Sequence, residues 1–265
     1  MAFMAALDAC SAGERHLSML EVRGLGKAFN TLTVAYQVSL IVPRGGRHAV
    51  IGPNGAGKTT LFNMICGAVV PDAGMIMIDD VDVTEMTPDA RARAGLARSY
   101  QHNSLFPDMT VRENLAAARA VHGGAAAVFW RPFSDFGELL SDAEDLARRI
   151  NVADHLDTPA RHLSYGTQRQ IEVGLALALE PKVLLLDEPT AGMSPEETRE
   201  MQALIGSLPA NLTIVIIEHD MDVVFDLAER VTVLDYGTVL LEGTPAEVRA
   251  SDAVRQRYLG AARCE

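Results

Sequence analysis

The stretch IGPNGAGKTT, Ile51 to Thr60, sets three glycines ahead of a lysine and two threonines. Gly52, Gly57, Lys58 and Thr59 fit G-x-x-x-x-G-K-[ST], the phosphate-binding loop. RHAVI (47–51) before it reads as a strand, and LFNMICG (61–67) after it reads as a helix. That strand–loop–helix context is what the motif requires. The reason for the glycines is charge. A triphosphate carries several negative charges, and glycines let backbone N–H groups converge on its oxygens. The helix that follows points its positive end at the same place. Lys58 adds a full charge on the β- and γ-phosphates, and the Thr59 hydroxyl is placed to ligate Mg²⁺. Asn54, Gly55, Ala56 and Thr60 complete the nucleotide-facing run. The loop identifies a nucleotide site and leaves open what the nucleotide is for.

Outward from the loop, strand signals recur at 19–29 (MLEVRGLGKAF), 36–42, 75–79, 182–188 (KVLLLDE), 212–219 (LTIVIIEH), 230–237 and 238–243. Helical patterns fall between many of them, which predicts a parallel sheet with crossover helices. VLLLD and IVIIE are continuous apolar runs, as strands covered on both faces should be. From Gln101 to Leu179 the strand signal fades. TVRENLAAARA, SDAEDLARRI and TQRQIEVGLALALE read as helices, with a Gly/Pro/aromatic patch at 122–137 between the first two. The organisation expected is therefore a core of residues 19–100 and 180–265, an inserted helical subdomain at 101–179, and a loose leader at 1–18.

Composition narrows the class. The chain has 265 residues, with 22% charged and 48% hydrophobic, which is globular. The net charge of −12 and the lack of any Lys/Arg-rich run argue against a nucleic-acid partner. Cys10, Cys66 and Cys264 are far apart, form no CxxC, and fit a reducing cytoplasm. No apolar stretch approaches the ~18–20 residues needed to span a bilayer.

Four more stretches bear on the chemistry. VLLLDEPT sets Asp187 and Glu188 at the carboxyl end of a strand, where α/β sheets bind ligands. There Asp187 can hold Mg²⁺ and Glu188 can polarise an attacking water as general base. LSYGTQRQ (163–170) sets Ser164 and Gly166 at the start of a helix, as an anion site or as a plain N-cap. Gln101 in RSYQ and His219 in IIEHD are lone polar residues whose order along the chain gives them weight.

This order resembles that of the ATP-binding subunits of ABC transporters. The resemblance covers nearly all of 19–260: P-loop 52–60, Q-loop Gln101, signature 163–168, Walker B 183–188, D-loop 191–194 and switch His219. Within the family the chain is most similar to the branched-chain amino acid (LivG-like) type. The residues that carry this are RARAGLARSYQHNSLFPDMTVREN, the tyrosine of LSYG, EHDMDVVFDLAERVTVLDYG and the tail EGTPAEVRASDAVRQRYLG. The resemblance implies a P-loop NTPase (RecA-like) α/β fold with an N-terminal antiparallel β portion, and an ATPase using ATP and Mg²⁺. It implies a dimer in which each ATP lies between one subunit's P-loop and the other's Ser164 and Gly166. It places Phe29 where the adenine-stacking aromatic sits, Thr59, Gln101 and Asp187 around Mg²⁺, and Lys58, Gln101, Glu188 and His219 in hydrolysis. The implied partners are membrane permease subunits, a second ATP-binding subunit (the same chain or a LivF-like one) and, indirectly, a periplasmic substrate-binding protein. The implied location is the cytoplasmic face of the cell membrane.

Two departures fall at the expected dimer contact. Tyr165 follows the subfamily, but Thr167 stands where the common signature has glutamine, and Ser194 stands where the D-loop commonly has Asp or Asn. The rival readings are a urea, amide or lipopolysaccharide transport ATPase, a non-transport ABC ATPase, a small-metabolite P-loop kinase, and a catalytically dead binding module. Intact Lys58, Asp187, Glu188 and His219 argue against the last.

Overall fold

The computed structural model describes residues 18–99, 105–122 and 137–256. The leader up to residue 17, Gln101 and the aromatic patch at 123–136 lie outside the described residues. Two sheets form the frame. The first is antiparallel, in the order β2 (Leu32–Pro43), β1 (Ser18–Phe29), β4 (Ala73–Ile78), β5 (Val81–Asp82). The second contains β3 (Arg47–Ile51), β6 (Leu96–Arg98), β7 (Val183–Asp187), β8 (Thr213–Ile217), β9 (Arg230–Asp235) and β10 (Thr238–Gly243). Its order is β10-β9-β3-β8-β7-β6, with every pair parallel except β10 against β9. Strands form at each apolar run read from the sequence. The two-residue β5 and three-residue β6 carry too few side chains to register a pattern.

Strand alternation divides the core. Val183, Leu185, Val215 and Ile217 point to one face, with the antiparallel sheet and the helix after the phosphate loop, α1 (Lys58–Ile65). Leu184, Leu186, Ile214 and Ile216 point to the other. There they meet α3 (Val111–His122), α4 (Gly137–Arg149), α5 (Tyr165–Leu177) and α6 (Pro195–Ser207). Further helices include α2 (Pro88–Arg93), α7 (Met221–Leu227) and α8 (Pro245–Ala250). Among the described residues no helix is long and apolar enough to cross a membrane.

Arg91 of α2 is 1% exposed and fixes the far end of α1. Its guanidinium donates to the carbonyls of Met64 (2.5 Å), Ile65 (2.7 Å), Met86 (3.0 Å) and Thr84 (2.7 Å). Met64 and Ile65 belong to the C-terminal turn of α1, whose orphan carbonyls and dipole favour a cation. Burial holds the Arg91 pKa below its ordinary value, opposed by the charges of Cys66, Glu85 and Asp82.

His48 lies in the middle of the parallel sheet, 1% exposed, its Nε2 at 2.7 Å from Thr232 Oγ1. Burial, and then the Arg230 charge, push its pKa down from 6.5 to about 4. The unfolded chain therefore binds a proton at His48 before the folded chain does. Stability from this site is fully present above pH 6.5 and is lost as pH falls towards 4, a difference of about 3 kcal/mol. His48→Gln keeps a group at the Nε2 position without titrating. Urea unfolding from pH 7 to 4.5 should show a shallower loss of stability in His48→Gln than in wild type. Parallel curves would mean that His48 does not titrate in this range.

Candidate functional site

The phosphate loop leaves β3 between β8 and β9 and enters α1. Gly57 caps α1 with φ 100°, and a Cβ there would lie 2.4 Å from the Val34 carbonyl oxygen, so only glycine fits. No side chain caps α1. Its first N–H groups, including those of Thr59 and Thr60, therefore have no acceptor within the helix. Lys58 is 6% exposed and folds back, Nζ donating to the carbonyls of Gly52 (2.7 Å) and Pro53 (3.1 Å). Burial lowers its pKa, and the nearby Glu188 and Asp187 charges oppose that shift. Asn54, Gly55 and Thr59 are exposed along the loop, while Ala56 is buried and donates its N–H to Pro53.

Asp187 ends β7, pairs with Ile217 at the end of β8, and is 2% exposed. Its Oδ2 accepts from Arg98 Nη2 at 2.5 Å, and the same guanidinium donates to Asn63 Oδ1 of α1 at 2.7 Å. Burial works against the Arg98 charge, but its hydrogen bonds to Cys66 and Asp187 outweigh that and hold its pKa above the ordinary value. Asp187 Oδ1 is buried with no hydrogen-bond partner among the described residues. A buried, unsatisfied carboxylate oxygen beside a phosphate loop suits a water of a hydrated cation, so the residues present fit Mg²⁺.

Glu188 follows with φ 49°, and its N–H continues the ladder to the Ile217 carbonyl at 2.9 Å. The carboxylate Oε1 lies 2.5 Å from His219 Nε2. Glu218, 3% exposed, holds this pair from behind. Its Oε1 accepts from Thr190 N–H (3.0 Å) and Thr190 Oγ1 (2.5 Å), and its Oε2 accepts from His219 N–H (2.9 Å). One buried carboxylate thus ties the turn after Glu188 to the backbone of His219.

The structure gathers Lys58, Asp187, Glu188 and His219 at the carboxyl edge of the sheet. Phe29, at the end of β1, is 47% exposed with Lys27 Nζ 5.6 Å from its ring centroid, so it is not a core side chain. Ser164 is the N-cap of α5, its Oγ accepting from Thr167 N–H at 3.2 Å and lying 3.0 Å from Thr167 Oγ1. Among the described residues, the hydrogen bonds of Ser164, Tyr165 and Gly166 run to α5, α6 and the loop before α6. None reaches the phosphate loop. Sequence reading missed Arg98, Glu218 and Glu197. Glu218 adjoins His219 in IIEHD, so adjacency was its one available signal.

Known proteins resemble this chain over most of its length. The family "ABC transporter" matches residues 35–191. The high-affinity branched-chain amino acid transport ATP-binding protein LivG of Escherichia coli (strain K12) is 38% identical, over 92% of this chain and 98% of that protein. The lipopolysaccharide export system ATP-binding protein LptB of the same strain is 34% identical, again over 92% and 98%. Among solved structures, the ADP conformation of MJ1267, an ATP-binding cassette of an ABC transporter, superposes with a TM-score of 0.83 at 28% identity. It covers 92% of this chain and 99% of that one.

Glu218 gives a direct test of how the site is held. Glu218→Gln keeps the shape but has one acceptor oxygen for donors on two elements, so a buried N–H loses its partner. That should lower stability by about 1–3 kcal/mol. The expected reading is a lower urea midpoint at unchanged slope. An unchanged midpoint would show that the Thr190 and His219 contacts contribute nothing net.

Proposed function

The chain belongs to the ABC transporter family, and on that footing we propose that it is the ATP-hydrolysing subunit of an importer of the branched-chain amino acid type. The 38% identity to LivG over nearly the whole of both chains supports the transport class. The 2.5 Å contact between Glu188 and His219 carries the hydrolytic reading, because it joins a carboxylate base to a second polar group at the sheet edge. The lower identity to LptB makes a lipopolysaccharide-type system the alternative.

In this reading, ATP lies on the N–H groups of 55–60 with Lys58 turned from its loop carbonyls onto the β- and γ-phosphates. Glu188 accepts the proton of the attacking water, and His219 holds that water and the γ-phosphate. Thr59 and Asp187, with Gln101, would hold Mg²⁺, which would supply charge neutralisation at the phosphate oxygens. Phe29 stacks on the adenine, an interaction of about 1–3 kcal/mol. Ser164 and Gly166 complete the site of a second ATP-binding subunit, so the nucleotide joins two subunits and hydrolysis releases them. That cycle drives permease subunits at the cytoplasmic face of the cell membrane, with a periplasmic binding protein acting upstream. The segment that begins at Gln101 is the part that meets the permease.

Two substitutions separate chemistry from binding. ADP lacks the γ-phosphate, so His219→Ala should leave ADP affinity nearly unchanged while turnover falls by about 10²-fold or more. Lys58→Ala should weaken ADP binding itself, since it removes a charge from the β-phosphate. Calorimetry for ADP and phosphate release for turnover measure both. Wild-type hydrolysis by His219→Ala would remove it from the reaction. A loss of ADP binding matching that of Lys58→Ala would make it a structural residue.

A further inference from the structure

The N–H of Gly166 is already occupied. It donates to Glu197 Oε1 at 3.0 Å, and a Cβ on Gly166 would lie 2.7 Å from that same oxygen, so the carboxylate rests directly on the glycine. Gly166 is the second residue of α5, and its N–H has no acceptor inside the helix. The helix dipole makes this end a place for an anion, and Glu197 supplies one. Its other oxygen, Oε2, accepts from Ser194 N–H at 3.0 Å, while Ser194 Oγ accepts from Glu197 N–H at 3.3 Å. This is the capping box that starts α6. One carboxylate therefore bridges the starts of two helices. The N–H groups of Ser194 and Gly166, followed by the Ser194 and Ser164 hydroxyls, hold the Glu197 carboxyl below the usual carboxylate range. A second contact runs alongside, with Tyr165 OH donating to the Ala191 carbonyl at 3.3 Å.

We propose that Glu197 is a positioning residue that fills the signature's anion site in the nucleotide-free chain and must leave it for the γ-phosphate bound by the partner subunit. This rests on the ATP-sandwich reading given above. Gly166 N–H and Ser164 are the groups that reading assigns to the γ-phosphate, and Glu197 engages both. Two anions cannot share one N–H, and a carboxylate left in place also repels the incoming phosphate. Association therefore requires Glu197 to turn away. Because Glu197 also accepts from Ser194, its departure loosens the start of α6 in the same movement. Glu197 thereby couples the signature to the loop 191–194 and raises the ATP concentration at which two subunits join.

Two measurements test this. The first is association against ATP–Mg²⁺ concentration by sedimentation, comparing Glu188→Gln with Glu188→Gln/Glu197→Gln. Glutamine still completes a capping box, so the fold should persist, and the melting temperature checks that it does. The expected result is half-maximal association at roughly tenfold lower ATP in the double variant, the scale of one charge-assisted hydrogen bond. Association of the double variant alone would also support the proposal. If Glu188→Gln associates and the double variant does so no more readily, Glu197 does not compete and the proposal falls while the sandwich stands. If neither associates, the sandwich between copies of this chain fails and the proposal falls with it. The second measurement is the Gly166 amide resonance of the nucleotide-free chain against pH. It should follow a carboxyl titrating below the usual glutamate range and lose that titration in Glu197→Gln. A Gly166 resonance indifferent to pH would overturn the contact itself.

Discussion

Lys58 brings a full positive charge to a position only 6% exposed, and its direct partners there are two backbone carbonyls. Carbonyl dipoles replace part of the lost hydration but carry no net charge. The result is a cation whose pKa is drawn down by burial and supported from nearby by Glu188 and Asp187. Such a charge is tolerable beside carboxylates and is better satisfied by a polyanion. The rest of the arrangement serves that charge. β3 lies centrally between β8 and β9, so the loop leaves the sheet beside the ends of its neighbours. Arg91 fixes the opposite end of α1 by its carbonyls, so the helix that carries Lys58 is anchored away from the ligand.

The carboxylates reach the lysine because β7 and β8 run parallel and end together, Asp187 opposite Ile217. The next residues, Glu188 on one strand and Glu218 and His219 on the other, therefore emerge side by side. Strand alternation sends Glu218 and His219 in opposite directions. Glu218 turns inward to Thr190, and His219 turns to Glu188. A carboxylate–imidazole pair at 2.5 Å is thus set by the register of two strands and one buried acceptor.

This division explains what could be read from the sequence. Strands covered on both faces show as unbroken apolar runs, so β7, β8 and the order of motifs along them were legible. The phosphate loop was legible because its glycines answer to local geometry, such as the Val34 carbonyl that leaves no room for a Cβ at Gly57. Arg98, Glu218 and Glu197 were not legible, because each acquires its meaning from a partner 89, 28 or 31 residues away. An acidic residue at the third position of a helix reads as part of a capping box, as Glu197 is. Nothing local shows that its free oxygen reaches another helix. Phe29 was ambiguous between core and ligand face for the same reason, and its exposure decides against the core.

The two readings of Ser164, a helix cap or an anion site, prove to be one physical fact. A cap is needed because the first N–H groups of a helix lack acceptors, and the same lack attracts anions. Ser164 satisfies Thr167 N–H, which leaves Gly166 N–H over, and the chain brings Glu197 to it. An internal carboxylate on that N–H shows that the site favours negative charge before any nucleotide arrives. It also sets the terms on which a phosphate can replace it. A ligand shifts such an equilibrium only by the difference in its affinity for the two states. On the proposed sandwich, a γ-phosphate carries more charge than a carboxylate and would reach Ser164 together with Gly166. A diphosphate offers nothing at that position. In the same proposed sandwich, displacement of the internal anion therefore falls on the triphosphate alone, which raises the ATP needed for association and leaves diphosphate binding untouched.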